Sequence, residues 1–183
     1  MSQPRITNIR ATLFLHKKAV ADLCEEIKRK DMRRVNNFFM YEKKYIYTIF
    51  PNSTKVGVTK IRTIEELNTV KAHFSSTFNI DIDSIGETVR IDNVSASGQY
   101  NKCLNLAVIQ QIVNKVYRKD AGKFLIQFDR NIRPEAICRT FSFGNITLFA
   151  SGKFFIVGAK CQTDVKRLYE NMLAIIIALP TQQ

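Results

Sequence analysis

Histidine and cysteine are scarce in this sequence, and neither is spaced as a metal site requires. The 183 residues include two histidines and four cysteines, and no Cys-x-x-Cys pair occurs. This spacing matches no zinc or redox motif. The sequence therefore predicts no metal site and four reduced thiols, at Cys24, Cys103, Cys138 and Cys161.

Motifs that carry catalysis are missing as well. The sequence has no Gly-rich phosphate loop, no Gly-x-Ser-x-Gly segment and no histidine cluster. Asp81 and Asp83 are close in sequence, but they lie in a short connection where we expect them to be solvated or to cap a helix. We therefore predict a protein that is not an enzyme and needs no cofactor.

Long hydrophobic runs are absent. The longest apolar stretch, near residues 172–179, is too short to span a bilayer. The amino terminus is polar and basic, unlike a signal peptide. These features predict a soluble intracellular protein with no membrane partner.

Acidic residues are few compared with basic ones, and this gives the first functional indication. The chain has 28 Lys and Arg against 16 Asp and Glu, a net charge of +12. Residues 1–86 carry 15 basic and 9 acidic side chains, and residues 87–183 carry 13 and 7, so each half has a charge of +6. An even distribution predicts two similar units that share an anionic partner, for which nucleic acid is the usual candidate.

The order of predicted elements repeats. A strand at 6–15, a helix at 17–29, strands at 35–41, 45–50 and 55–59 and a helix after Thr63 make one set. A strand from 91, a helix at 104–116, strands at 136–143, 146–149 and 154–157 and a last helix make the second, with a longer connection at 118–130. The predicted repeats are 1–78 and 88–183, joined by a linker at 79–87. The equivalent pairs are Asn8 and Asn93, Phe50 and Phe149, Lys60 and Lys160, and Thr63 and Thr163.

The hairpin over residues 149–160 is apolar on both faces. Strand alternation puts Phe149, Ser151, Lys153, Phe155 and Val157 on one face. The other face holds small and apolar residues that the following helix is expected to cover. The first face therefore needs a different partner.

This hairpin resembles a known family. Phe149-Ala-Ser-Gly-Lys and Val157-Gly-Ala-Lys are similar to the second-repeat signature of the TATA-box-binding protein family. The resemblance covers essentially the whole chain and implies an α+β fold: a pseudo-two-fold saddle of two strand-helix-strands-helix repeats. Its curved antiparallel sheet would have ten strands, with four helices on the convex face and the DNA minor groove against the concave face.

The resemblance also implies DNA-contacting residues. The segment 128–139 resembles the family's Tyr-Glu-Pro-Glu-Leu-Phe-Pro-Gly-Leu-Ile-Tyr-Arg, which aligns Arg139 with a backbone-contacting arginine and Arg133 with a kinking phenylalanine. In repeat one, Arg34 falls near the other kinking phenylalanine. The predicted DNA-binding residues are Asn8, Arg34, Phe50, Lys55, Asn93, Arg133, Arg139, Phe149, Ser151, Lys153, Phe155 and Val157.

Each of these residues has a structural alternative. Asn8 and Asn93 fit a contact with A·T base pairs, or a local role in ending or twisting their strands. Phe50 and Phe149 fit a wedge between base pairs, or a place in the core. The basic residues fit phosphate contacts, or solvated charges. Since each repeat keeps one wedge phenylalanine and has an arginine near the place of the other, a weaker bend is expected.

The sequence thus predicts a divergent TATA-box-binding-like protein that binds A/T-rich duplex DNA and nucleates transcription initiation. By resemblance its partners are TFIIB-like and TFIIA-like factors and RNA polymerase, and self-association through the apolar concave face is also expected. The family's TFIIB contact loop is acidic, whereas residues 128–131 here carry one acid. The divergence favours a large DNA virus, with transcription in the virion or a cytoplasmic factory, or a fast-evolving eukaryote, with a nuclear protein.

Two alternatives remain open from the sequence. One is a protein-interaction subunit of a transcription complex that keeps the saddle but no longer binds DNA specifically. The other is a substrate-binding domain of a nucleic-acid enzyme, which the absence of any catalytic domain disfavours.

Overall fold

The chain folds into two compact units. A computed structural model describes residues 3–30, 32–86, 89–116, 124–140 and 143–178. The repeat-1 unit comprises Asn8–Asp92, and the repeat-2 unit comprises Met1–Thr7 and Asn93–Gln183. Part of the predicted linker is integrated into the repeat-1 unit, because Ile80 and Ile85 are buried and Leu15 pairs with Ile85.

The repeat-1 unit is built on antiparallel strands in the order β2-β3-β4-β5-β1. Its helices are α1 and α2, and a single 3-10 turn at Ile82–Ser84 follows α2. The elements are β1 Arg5–Phe14, α1 Lys17–Arg29, β2 Arg33–Val35, β3 Phe38–Glu42, β4 Ile46–Ile49, β5 Lys55–Ile61 and α2 Glu66–Phe78.

The repeat-2 unit has the same plan, with strand order β6-β10-β9-β8-β7 and antiparallel pairing in the ladders from β6 to β7. Helix α3 contacts β7 and β8, and α4 contacts β9 and β10. The elements are β6 Arg90–Gln99, α3 Leu106–Val116, β7 Phe124–Gln127, β8 Glu135–Thr140, β9 Gly144–Phe149, β10 Lys153–Ala159 and α4 Gln162–Ile177.

The predicted fold class is confirmed as α+β with antiparallel strands and four α-helices in two similar sets. The ten strands that the family resemblance implies are present, five in each set, whereas the residue patterns predicted only four strands per set. The predicted strand at 35–41 is a hairpin, because Asn36 adopts a positive φ of 49° and turns the chain between β2 and β3. Asparagine tolerates this left-handed conformation better than most residues. Strand β7 lies in the segment that was predicted to be only a connection.

The repeat-1 core lies between the sheet and its two helices. Helix α2 buries Leu67, Val70, Phe74 and Phe78 at helical spacing. Phe74 and Phe78 contact the ring of Tyr47 edge-on, with centroid distances of 5.3 and 5.6 Å. These contacts fix which face of β4 meets α2, so the alternate residues of the strand must face the other way.

The repeat-2 core depends on one close approach. Phe154 lies against β6 at Gly98, where a Cβ atom would come within 2.4 Å of the Phe154 ring. The ring also contacts Tyr100, which stacks on Tyr169 of α4 at 5.3 Å. Glycine at position 98 therefore lets β10 dock its aromatic side chain under the helix.

The predicted equivalence of Lys60 with Lys160 is wrong by two residues. The Arg62 backbone N–H donates to the Glu66 carboxylate at 2.8 Å, and the Lys160 backbone N–H donates to Asp164 at 3.0 Å. Lys160 is thus the counterpart of Arg62, and the threonine pair shifts with it. The error arose because Lys60 and Thr63 recur as Lys160 and Thr163 at one sequence offset, whereas the hydrogen bonds that cap α2 and α4 recur at a different offset.

All four cysteines are free, with Cys103 and Cys161 exposed and Cys138 buried. Burial raises the pKa of the Cys138 thiol to about 12. In the described ranges, no helix is long and apolar enough to cross a membrane.

Candidate nucleic-acid interface

Each unit has one sheet face that its helices leave uncovered, and we call it the open face. In the repeat-2 unit, β10 alternates strictly between exposed and buried residues from Lys153 to Val157. Phe154 and Ile156 face the helices, while Phe155 and Val157 are 48% and 44% exposed. Large apolar side chains with this exposure at alternate positions of a strand share one face and indicate a binding surface.

Cross-strand register extends this surface over β8 and β9. Phe155 pairs with Thr147, which pairs with Ile137 of β8. A second row joins Val157 to Asn145 and the exposed Arg139. The centre of the open face therefore combines apolar side chains with the neutral polar side chains of Thr147 and Asn145, and it has a cation at its margin.

The predicted residue Phe149 shares this face. It is half-buried, and its ring meets Phe155 in an edge-on contact at 5.8 Å. Its cross-strand partner is Glu135, which was not predicted. No sequence pattern pointed to Glu135, because only the pairing register places a carboxylate beside this phenylalanine.

Ser151 and Lys153 lie at the turn that ends this face. Gly152 has a φ of +83°, and its N–H donates to the Phe149 carbonyl at 2.9 Å, which closes the turn. The Ser151 hydroxyl accepts from the Lys153 backbone N–H at 3.5 Å. Lys153 itself is exposed, so its ammonium group is free to meet an anion at the edge of the open face.

Asn93 stabilises an irregular point of the neighbouring strand. The pairing of β10 with β6 shifts between Ile156 and Ala159, and Gly158 has a φ of +86° there. The Gly158 N–H donates to Asn93 Oδ1, and Asn93 Nδ2 donates to the Ser95 hydroxyl at 2.9 Å. The local role that the sequence left open for Asn93 is therefore present, and it orients the amide nitrogen along the open face.

Asn8 has the same arrangement in the repeat-1 unit. Lys60 has a φ of +69°, and its backbone N–H donates to Asn8 Oδ1 at 2.9 Å. Since a backbone N–H can only donate, the oxygen of each asparagine is fixed toward the β-bulge, the irregular point of the neighbouring strand where the backbone has a positive φ. The NH₂ group of each side chain can only donate, and in Asn93 one of its two hydrogens is taken by the Ser95 hydroxyl.

The open face of the repeat-1 unit contains Phe50, which is 45% exposed. Its ring contacts Phe38 of β3 at 5.5 Å. Lys55, the first residue of β5, pairs with Phe14. The Ser53 hydroxyl accepts from the Lys55 backbone N–H as Ser151 does from Lys153. Phe38 was missed from the sequence, because its contact with Phe50 depends on the unexpected turn before it.

Arg34 does not share this face with Phe50. It pairs with Phe39, which pairs with the buried Ile49, so the register places Arg34 on the side of the helices. Its neighbour Arg33 pairs with Met40 and takes the position on the open face. The residue on the open face therefore differs by one position from the predicted residue, because the family resemblance placed Arg34 without a strand register.

Arg133 lies outside the strands, in the turn before β8. Its backbone N–H donates to the Asp129 carbonyl at 3.0 Å, and its side chain is exposed. Of the predicted cations, Lys55, Arg139 and Lys153 thus lie in strands of an open face, Arg133 lies in a turn and Arg34 lies on the helix side.

Comparison with known proteins identifies the family. The model of the family described as Transcription factor TFIID (or TATA-binding protein, TBP) matches residues 88–179, half of the chain. No curated protein matches at a significant level. Among solved structures, the chain is similar to the Methanococcus jannaschii TBP, with 19% sequence identity and a TM-score of 0.74. That alignment covers 97% of this chain and 100% of the other.

The sequence match and the structural match cover different extents of the chain. The sequence match falls on the repeat-2 unit, which keeps the signature residues of the hairpin at Phe149. The structural match extends over both units and shows the fold. The chain therefore belongs to the TATA-binding protein family, a family of DNA-binding transcription factors that are not enzymes.

Proposed function

We propose that this protein binds A/T-rich duplex DNA through the minor groove, at a TATA-like promoter element, and nucleates transcription initiation there. The observation that carries the proposal is the fixed orientation of Asn8 and Asn93. Each amide oxygen is held by a backbone N–H, so the NH₂ group of each side chain is left to donate, in Asn93 through the hydrogen that does not bond Ser95.

Donors of this kind match the chemistry of A·T base pairs. In the minor groove, A·T and T·A pairs present only acceptor atoms, whereas a G·C pair adds the guanine amino group, which is a donor. That group would meet Phe155 and Val157, which offer it no acceptor, and burying it unpaired costs about 1–3 kcal/mol. The open face thus favours A·T pairs without reading their orientation.

The exposed Phe50 and the half-buried Phe149 suit a wedge role. Apolar side chains inserted between base steps partly unstack them and bend the duplex. Phe50 is supported by Phe38, and Phe149 by Phe155, so both rings are held by an aromatic neighbour. Lys55, Arg133, Arg139 and Lys153 would neutralise phosphates around them.

The test is a salt titration of binding to two fluorescent duplexes of equal length, one with a central TATAAA-type run and one composed of G·C pairs. We expect tighter binding to the A·T duplex and a steep loss of affinity as salt rises. Equal, weak binding to both would reject minor-groove recognition.

A bending assay tests the wedge role of Phe149. With dyes at both ends of the duplex, Phe149→Ala is expected to reduce the energy transfer that binding produces.

The partners proposed from the family are TFIIB-like and TFIIA-like factors and RNA polymerase, which would assemble on the bound promoter.

A second candidate function is a protein-interaction subunit whose open faces are covered by another protein. One observation favours it: Glu135 lies beside Phe149, where a polyanion would be repelled. Reversing the charges of Arg133 and Arg139 separates the two, since only the DNA-binding function predicts a large loss of duplex binding.

A further inference from the structure

The two open faces differ along the strands that form their centres, β5 and β10. Each strand begins with a lysine whose backbone N–H donates to a serine hydroxyl, and each reaches a residue with a positive φ five positions later. These residues are Lys55 and Lys60 of β5 and Lys153 and Gly158 of β10. The two strands can therefore be compared residue by residue, and Gly57 is the counterpart of Phe155, as Thr59 is of Val157.

Gly57 leaves a notch in the open face of the repeat-1 unit. Val56 and Val58 on either side of it are fully buried, so Gly57 belongs to the uncovered side of β5. Apart from the chain neighbours of Gly57, the nearest described atom to a Cβ added there would be Cβ of Thr48, at 3.5 Å, which is an ordinary contact. The position therefore has room for a group that the protein itself does not supply.

The equivalent position of the repeat-2 unit is filled by the exposed ring of Phe155. In both units the cross-strand neighbours of this position carry hydroxyl groups: Thr12 and Thr48 beside Gly57, and Ser97 and Thr147 beside Phe155. The two rows thus differ mainly in one phenyl ring.

Thr12 and Asp92 supply hydrogen-bond acceptors to one wall of the notch. The Thr12 hydroxyl donates to Asp92 Oδ2, and Asp92 Oδ1 accepts from Arg90 Nε at 2.9 Å, all within the repeat-1 unit. Since its one hydrogen is used by Asp92, the Thr12 oxygen has only lone pairs to offer, and a carboxylate likewise only accepts. Thr12 is buried, whereas the Asp92 side chain is 24% exposed and is the more accessible acceptor.

This wall matches the one donor of the minor groove. The guanine amino group is the only donor that a base edge presents there. Over Phe155 it would meet a phenyl ring and lose its hydrogen bonds to water without replacement. Over Gly57 it would enter the notch, where acceptors are available. An A·T pair leaves room in the notch for water, which can bridge to the same acceptors.

We propose that Gly57 is a specificity-determining residue that lets the repeat-1 unit accept a G·C pair at the position of the site over the notch. Phe155 excludes a G·C pair at the equivalent position of the other half. The inference rests on the proposed minor-groove binding, and it makes the recognised duplex asymmetric. That duplex is A/T-rich throughout, with one permitted G·C pair in the half that the repeat-1 unit contacts.

Modified bases test the notch without changing the rest of the duplex. The base 2,6-diaminopurine pairs with thymine as adenine does and adds only an amino group to the minor groove. In a palindromic A/T core, it replaces one adenine, or both symmetry-related adenines, at each pair of positions in turn. Fluorescence anisotropy gives the affinity for each duplex relative to the unmodified duplex.

One pair of positions should distinguish the two halves. A single amino group there is expected to lower the affinity only about twofold, because the protein can still bind in one of its two orientations. Two amino groups should lower it by about tenfold or more, since one of them must then meet Phe155.

A variant that fills the notch assigns the tolerant half to the repeat-1 unit. With Gly57→Val, the single amino group is expected to lower the affinity by about tenfold or more, because neither unit can then accept it. Thr59→Val is the matched control, since it adds a valine to the same face of β5 and leaves the notch open. It should keep the twofold effect of the unmodified protein.

Three results would overturn the inference. The first is a loss of about tenfold or more from a single amino group at every position. The second is a doubly modified duplex that binds as well as the singly modified one at the tolerant positions. The third is Gly57→Val, folded by circular dichroism, with the same twofold effect as the unmodified protein. Each leaves the preference for A·T over G·C duplexes intact, whereas loss of that preference rejects the proposed function and this inference with it.

Discussion

At the scale of single residues, Asn93 combines a structural and a recognition role in one amide group. Its oxygen accepts from the Gly158 N–H at the bulge of β10, and its nitrogen is the donor proposed to meet A·T base pairs. A carboxylate would keep the first role and remove the second. The aspartate variant therefore tests recognition without removing the support of the bulge.

We predict that Asn93→Asp folds with nearly unchanged stability but loses most of its affinity for the A·T duplex. The new side chain still accepts from Gly158, but it brings a negative charge to the groove and no donor. Asn93→Ala is the contrasting variant, and losing the acceptor should cost about 1 kcal/mol of unfolding free energy. Urea denaturation and fluorescence anisotropy measure the two effects, and wild-type DNA affinity in Asn93→Asp would exclude the amide from recognition.

Glu135 is the residue for which the two candidate functions predict the most different effects. Its carboxylate lies across the strand pair from Phe149, so a bound duplex would bring phosphates toward a like charge. We predict that Glu135→Gln raises the affinity for the A·T duplex several-fold and leaves the preference over G·C unchanged, since the charge reads no base. The same anisotropy titration measures both values. A decrease in affinity would contradict the prediction, because it would mean that the carboxylate supports the complex with DNA.

At the scale of elements, the helices were predictable and the edge strands were not. The bounds of α1 were predicted correctly, because its apolar residues recur at helical spacing within a clear charge pattern. The β2–β3 hairpin was missed, since its turn depends on Asn36 adopting a conformation that no periodicity reveals. Without that turn, Phe38 was not recognised and Arg34 had no register, and a one-residue change in register moves a side chain across the sheet.

The turn between β9 and β10 should tolerate no side chain at its glycine. Gly152 has a φ of +83°, and a Cβ atom there would lie 2.3 Å from the Tyr100 carbonyl oxygen. We predict that Gly152→Ala lowers the unfolding free energy by more than about 2 kcal/mol.

Gly57 supplies the matched control within the sheet. An added Cβ would meet Thr48 at 3.5 Å, an ordinary contact. Gly57→Ala is therefore expected to change stability by no more than about 0.5 kcal/mol. Urea denaturation of both variants makes the comparison, and equal stabilities would show that the β9–β10 turn relaxes around the added methyl group.

At the scale of the whole molecule, the two repeats have diverged unequally from their family. The family model matches only residues 88–179, although the fold match covers 97% of the chain. In repeat one, the turn from Phe50 to Lys55 is one residue longer than the turn from Phe149 to Lys153. The hydroxyl-to-backbone contacts of Ser53 and Ser151 persist through this change, so the geometry of the turn is retained where its sequence is not.

The net charge of +12 predicts how this molecule responds to salt. Each cation that neutralises a phosphate contributes about 0.9 to the slope of log affinity against log salt concentration. We predict that Lys153→Gln, like Lys55→Gln, lowers that slope by about 0.9 for A·T and G·C duplexes alike, and that the double variant lowers it by about twice as much. Binding measured from low to physiological salt gives the slopes. The slope reports how many counterions binding releases. If it stays unchanged while the affinity falls, the lysines act by shaping the turn and not by contacting phosphate.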